Sequence, residues 1–251
     1  MKISMIKLKS RGYLIGNLPL LSLFLLTLCA LCLCLNILPE TATQLMSSQP
    51  ENVRDMGVIA ISSGVIFALF CFYCVFDMGL YRFFIRKAQN RGGRVKDLFH
   101  YFLPSESINV LSFFIRYKTM TGLLFTFCFA PFYLSFSFLM KLLKGSPSLI
   151  VTVVILLTSV LLFLTGLYFW SEVKASLFLV KFYFAKGDYL NFRQLVSSSQ
   201  KEMRERKKNL KRLKLSFVWW FLSCVFVVPS IYVFLYYRQS KAVLASEIMK
   251  E

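Results

Sequence analysis

Acid is scarce in this sequence and histidine all but absent: 12 Asp and Glu stand against 30 Lys and Arg, with one His, for a formal net charge of +18. No acid falls in the middle of an apolar run; Asp77 and Glu172 sit at run ends. Acids inside membrane helices are the usual marks of ion pathways and proton relays, so their absence argues against a proton-coupled transporter. The single imidazole, His100, lies three residues after Asp97, a spacing that could place both on one helix face. No nucleophile accompanies them, so an interfacial His beside aromatics is the better reading. Also missing are a P-loop, HExxH, GxSxG and a dinucleotide fingerprint. No catalytic, cofactor-binding or metal-ligating residue and no cofactor is therefore expected, and an enzyme using Asp97, His100 or Glu172 ranks last among the readings.

The seven cysteines, Cys29, Cys32, Cys34, Cys71, Cys74, Cys128 and Cys224, all fall within apolar runs. Two pairs have CxxC spacing, yet no strand or knuckle pattern flanks them, as a zinc ribbon would require. They read as small residues packed between helices.

What is present in quantity is apolar side chain: 57% of residues are hydrophobic, including 27 Phe, and the runs are about as long as a bilayer core is thick. The expected fold is all-α, a single polytopic transmembrane helical bundle over residues 1–251, with five spans near 18–38, 57–76, 119–143, 149–170 and 215–237. Amphipathic interfacial helices accompany them. The first run follows Lys2, Lys7, Lys9 and Arg11 like a signal peptide. It is too long for a signal core and lacks a small-x-small cleavage site, so it reads as a span. The 57–76 run carries Gly57, Ser62, Ser63 and Gly64, which permit close helix approach. Pro131 and Pro229 are expected to kink their spans.

Basic residues set the orientation. The N-terminal segment, the 77–118 loop and the 171–214 loop hold four, eight and twelve Lys/Arg, twenty-four of the thirty in the chain. The positive-inside rule puts all three in the cytoplasm, which makes the N-terminus cytoplasmic in a multi-pass plasma-membrane protein. Five spans leave the tail outside with Arg238, Lys241 and Lys250, against that rule. A sixth, shallow or re-entrant segment would return it, with a hairpin at Pro229 as one candidate. The stretch 77–90 mixes Leu80, Phe83, Phe84 and Ile85 with arginines and reads as a helix lying in the headgroup layer. After a break at residues 91–94, residues 95–102 begin another short amphipathic piece. The segment 189–214 reads as a basic helix that runs unbroken into the last span.

Both clusters exceed what orientation alone requires. Candidate contacts for anionic lipid headgroups, or for a membrane or cytoplasmic protein partner, are Arg82, Arg86, Lys87, Arg94 and Lys96 in the first loop. In the second they are Lys201, Arg204, Arg206, Lys207, Lys208, Lys211 and Arg212. No nucleic acid partner is expected, since no reader motif accompanies the charge.

Two stretches carry a family resemblance. DMGLYRFFIRKAQNRGGRVKDLFHYF, with Gly79, Arg82, Gly92, Gly93, Asp97, Leu98 and Phe99, resembles a pattern of span end, basic helix, glycine turn and Asp-Leu-Phe. SSSQKEMRERKKNLKRLKLSFVWW, with Ser198, Met203, Leu215, Ser216, Phe217 and Trp220, resembles a basic run leading into Leu-Ser-Phe-x-x-Trp. Both are similar to the domain-of-unknown-function family numbered 975, bacterial integral membrane proteins, over roughly residues 70–240. The resemblance implies a bacterial membrane location and brings no activity. The sequence thus points to a non-enzymatic accessory or interaction module, with a transporter or permease component for a lipid or hydrophobic solute as the alternative.

Overall fold

The computed structural model describes residues 3–15, 27, 44, 51–90, 93–145, 148–187, 191–222 and 227–249. Among the described residues all regular structure is helical: α1 (Ile3–Ile15), α2 (Glu51–Ala88), α3 (Pro104–Leu143), α4 (Leu149–Ser176), α5 (Val180–Lys186), α6 (Phe192–Leu215), α7 (Val218–Leu222) and α8 (Val227–Ile248). Two single 3-10 turns, Val95–Asp97 and His100–Phe102, stand between α2 and α3. Three stretches are long and apolar enough to cross a membrane: Met56–Ala88, Pro104–Leu143 and Leu149–Lys186. At about 1.5 Å per residue each is longer than a hydrocarbon core of about 30 Å.

The chain forms two compact units. The first comprises residues 1–111, 181–188 and 212–251. Its core is built on the second half of α2, where Cys74, Val75, Phe76, Met78, Leu80, Phe83, Phe84 and Ile85 are all buried. The preceding residues of the same helix are apolar and bare, among them Met56, Ile59, Ile66 and Phe67. One helix thus passes from a surface that protein does not cover to one that it does. This corrects the interfacial-helix expectation for residues 77–90: no break separates them from the span, and their apolar side chains meet protein. Gly79 sits where an added Cβ would collide with the Leu98 carbonyl, so this contact requires glycine. Asn90, at φ 57°, takes the left-handed conformation that ends the helix. The expected amphipathic piece at 95–102 is the pair of 3-10 turns instead.

α8 is the other half of that core. Gln239, Ser240, Ala242, Val243, Leu244, Ala245, Ser246 and Ile248 are buried, a helix covered on nearly every side. α1 and α2 both pack on it, and its Ala and Ser positions let them approach closely. α1 contributes Ile6, Ser10 and Leu14, one stripe at i, i+4, i+8. The segment expected to be a short tail is therefore a central helix.

The second unit comprises residues 112–180 and 189–211. Here α3 and α4 run antiparallel beyond the turn at Lys144–Gly145. Phe125 meets Trp170 at 5.2 Å and Phe132 meets Phe163 at 5.1 Å between ring centroids. The Ser135 and Ser159 hydroxyls are 2.7 Å apart. A Cβ on Gly166 would lie 2.9 Å from the Cys128 carbonyl oxygen, so glycine sets this helix spacing. Leu195, Ser199, Met203 and Leu210 form the buried face of α6. Ser199 donates to the Ser176 carbonyl (2.7 Å) and accepts from the Leu179 N–H (3.2 Å), satisfying backbone groups left over where α4 ends.

Three expected spans (57–76, 119–143 and 149–170) coincide with bare apolar helix. Apart from Thr27, the first (18–38) lies outside the described residues. The fifth (215–237) is not one helix: α6 stops at Leu215, Ser216 and Phe217 form a turn, and α7 is five residues long. Pro229 lies near the described start of α8; residues 223–226, which bear on the expected kink, lie outside the described residues.

Candidate functional site

Three segments of the first unit meet at a buried carboxylate. Asp77, on α2, is 3% exposed. Lys181, on α5, donates to its Oδ2 at 3.1 Å. Arg238, on α8, brings Nη1 within 2.6 Å of Oδ1, an ion pair by distance without hydrogen-bond alignment. Tyr81, one turn beyond Asp77, meets both cations: Lys181 Nζ is 5.0 Å from its ring centroid and the Arg238 guanidinium carbon 5.5 Å. Arg238 also covers Phe234 at 4.6 Å. Buried charges survive when paired and packed on aromatic faces. The triad ties together residues far apart in the chain, and its chemistry is that of a clamp.

Sequence reasoning missed this triad. It places Asp77 at the edge of the 77–118 loop and Arg238 in a tail whose side it leaves open between five and six spans, and it pairs neither with the other. The two touch. The available signal was Asp77 itself, a lone acid between apolar flanks that needed a cation, with Arg238 as a surplus cation.

The candidate basic residues divide by what they touch. In the first unit the Arg82 guanidinium lies 5.5 Å from the Tyr101 ring and Lys87 Nζ 5.5 Å from Phe83. Arg86 donates to Asp97 Oδ1 at 2.6 Å, and the Arg94 N–H donates to Oδ2 at 2.9 Å. Arg94 and Lys96 side chains are exposed. Ile85, Arg86, Gln89 and Lys186 line a cavity of about 300 Å³. On α6, Lys207 pairs with Glu172 at 3.4 Å, and Lys211 donates to the same carboxylate. That bond raises the Lys211 pKa. Arg206 is half-buried, while Lys201, Arg204 and Lys208 are exposed and recur at i, i+3, i+7, one helix face that also carries Glu205. Arg212 is exposed as well. The first group and the α6 group up to Lys211 belong to different units.

The pair considered for catalysis is engaged otherwise. Asp97 is held by Arg86, and His100 meets the Tyr101 ring edge-on at 5.1 Å. Burial, and then the positive charge of Arg82, lower the His100 pKa. Cys71, Cys74 and Cys128 are thiols; Cys29, Cys32, Cys34 and Cys224 lie outside the described residues. Among the described residues no group of three His, Cys, Asp or Glu is placed to hold a metal ion. A scan of family models finds no match to the chain, and searches of curated proteins and solved structures find none either.

Proposed function

We propose that the chain is a multi-pass protein of a bacterial plasma membrane, a non-enzymatic accessory module whose basic cytoplasmic surfaces hold anionic phospholipid. The observation that carries this reading is the division of cations on α6. Glu172 engages Lys207 and Lys211, while Lys201, Arg204 and Lys208 stay exposed on one face. Such a face beside apolar spans attracts anionic headgroups at about 1 kcal/mol per cation. The uncovered apolar helices support the membrane setting.

The test is purification in lipid nanodiscs from native membranes, after mild crosslinking, with mass spectrometry of retained lipids and proteins. Anionic phospholipid should be enriched on the native chain and depleted in the triple variant Lys201→Gln, Arg204→Gln, Lys208→Gln. The same lipid profile in both would overturn the reading. A stoichiometric protein lost only from the variant would replace lipid with that partner.

A further inference from the structure

Residues 215–237 have the length and composition of a span, yet both ends of the stretch meet one residue. Lys7 Nζ donates to the Ser216 carbonyl at 2.7 Å, and the Tyr236 hydroxyl donates to the Lys7 carbonyl at 3.2 Å. Phe217 closes the same junction: its ring lies 5.0 Å from Tyr236, 5.1 Å from Tyr237 and 4.6 Å from Lys7 Nζ. Trp220 meets Tyr236 at 6.1 Å, and α7 packs on α8. A helix crossing a bilayer separates its ends by about 30 Å; these ends are in contact. The part of α8 that precedes the junction, residues 227–236, is ten residues long, or about 15 Å at 1.5 Å per residue. That reaches half of a hydrocarbon core.

We infer that α7 and the first turns of α8 form a re-entrant hairpin seated in one leaflet, and that the two chain termini lie on the same side of the membrane. The occupant of its outer face is phospholipid. Val218, Trp219 and Trp220 are 47%, 79% and 44% exposed, a bare aromatic surface beside the base of the hairpin. Tyr232, Tyr236 and Tyr237 follow near that base, and Lys7, Lys9, Arg11, Arg212 and Lys214 surround it in the sequence of the same unit. Aromatic rings above a basic collar match the headgroup boundary of an anionic leaflet. Beyond the junction, Arg238 joins Asp77, and Glu247 pairs with Lys9 at 3.3 Å. The rest of α8 is therefore bound to the N-terminal helix and to the end of α2, not delivered to the opposite face.

This inference rests on the membrane reading, and its test keeps the two apart. Carbonate extraction first asks whether the full chain stays with membranes; release would overturn both. Alkaline phosphatase and green fluorescent protein are then fused in turn to each terminus of the full chain. Fluorescence without phosphatase activity at both termini is expected, while phosphatase activity at the C-terminus alone would overturn the hairpin and leave the membrane reading intact. Depth is read separately. The chain has three tryptophans, so Trp170→Phe leaves the Trp219 and Trp220 signal. In phosphatidylglycerol–phosphatidylcholine vesicles, lipid brominated near the glycerol end should quench most of that fluorescence, and lipid brominated at the chain terminus little of it. Equal or stronger quenching from the chain terminus would indicate a crossing. No quenching from either would mean that protein or water covers the tryptophans, and would overturn the lipid assignment.

Discussion

Replacing Asp77 with Asn keeps the side-chain shape and removes the buried carboxylate charge that faces Lys181 and Arg238, both mostly covered by protein. At an effective dielectric near 20, charges 3.1 Å and 2.6 Å apart attract by about 5 and about 6 kcal/mol. Desolvation offsets most of that, and breaking a buried ion pair from one side typically costs about 3–5 kcal/mol. Asp77→Asn should therefore destabilise the protein by about 3–5 kcal/mol, a large share of a typical folding free energy. The assay is equilibrium unfolding in mixed micelles with sodium dodecyl sulfate as denaturant, followed by circular dichroism. A second variant separates charge from packing. Asp77→Leu with Lys181→Met and Arg238→Met removes every charge and keeps the volume, so it should recover to within about 1 kcal/mol of the native chain. The clamp reasoning fails if Asp77→Asn is neutral, or if the triple variant is no more stable than the single one.

Further expectations follow from individual contacts. Gly79→Ala drives a methyl into the Leu98 carbonyl and should cost at least about 1–3 kcal/mol, whereas Gly64→Ala on the same helix meets nothing within 4 Å and should be neutral or stabilising; equal effects would show that the close approach is not maintained. Ser199→Ala strands the Leu179 N–H and the Ser176 carbonyl and should cost about 1–3 kcal/mol in the same unfolding assay, and no change would mean that water replaces the hydroxyl. The folded-state pKa of His100 lies below its ordinary 6.5, so the unfolded chain binds the proton more readily between those two values. Its contribution is present above about pH 6.5 and is lost as pH falls toward the folded value. The melting temperature should drop on acidification from about pH 7.5 to about pH 5.5, and His100→Gln should flatten that drop; an unchanged slope would remove His100 as its cause.

Three helices long and apolar enough to cross a membrane were legible because their signals are local. An apolar run of about 20 residues has few alternatives to a helix in lipid, and residues 57–76, 119–143 and 149–170 each had one. Glycine is an equally local signal: Gly145 and Gly187 both fall in turns, and Gly187 takes φ 94°. Residues 77–90 were misread because a helix in the headgroup layer and a helix against a protein core show the same mixture of apolar and basic side chains. Packing on α8, on α1 and on the two 3-10 turns makes Leu80, Phe83, Phe84 and Ile85 interior. For the candidate contact residues, sequence counted charge and could not allocate it. Lys207 and Lys208 are neighbours in the chain, yet one meets Glu172 and the other is exposed, because a helix turns about 100° per residue.

The sequence by itself determined the apolar helical character of the chain, its excess of cations over acids, and the absence of familiar catalytic motifs, since each is a matter of composition or short spacing. Tertiary structure alone decided that Asp77 meets Lys181 and Arg238, that the C-terminal segment is core, and that both ends of residues 215–237 meet at Lys7. The physical reason is sequence separation. Those partners lie 104, 161, 209 and 229 residues apart, and hydropathy, propensity and charge count describe each segment without naming the one it will face.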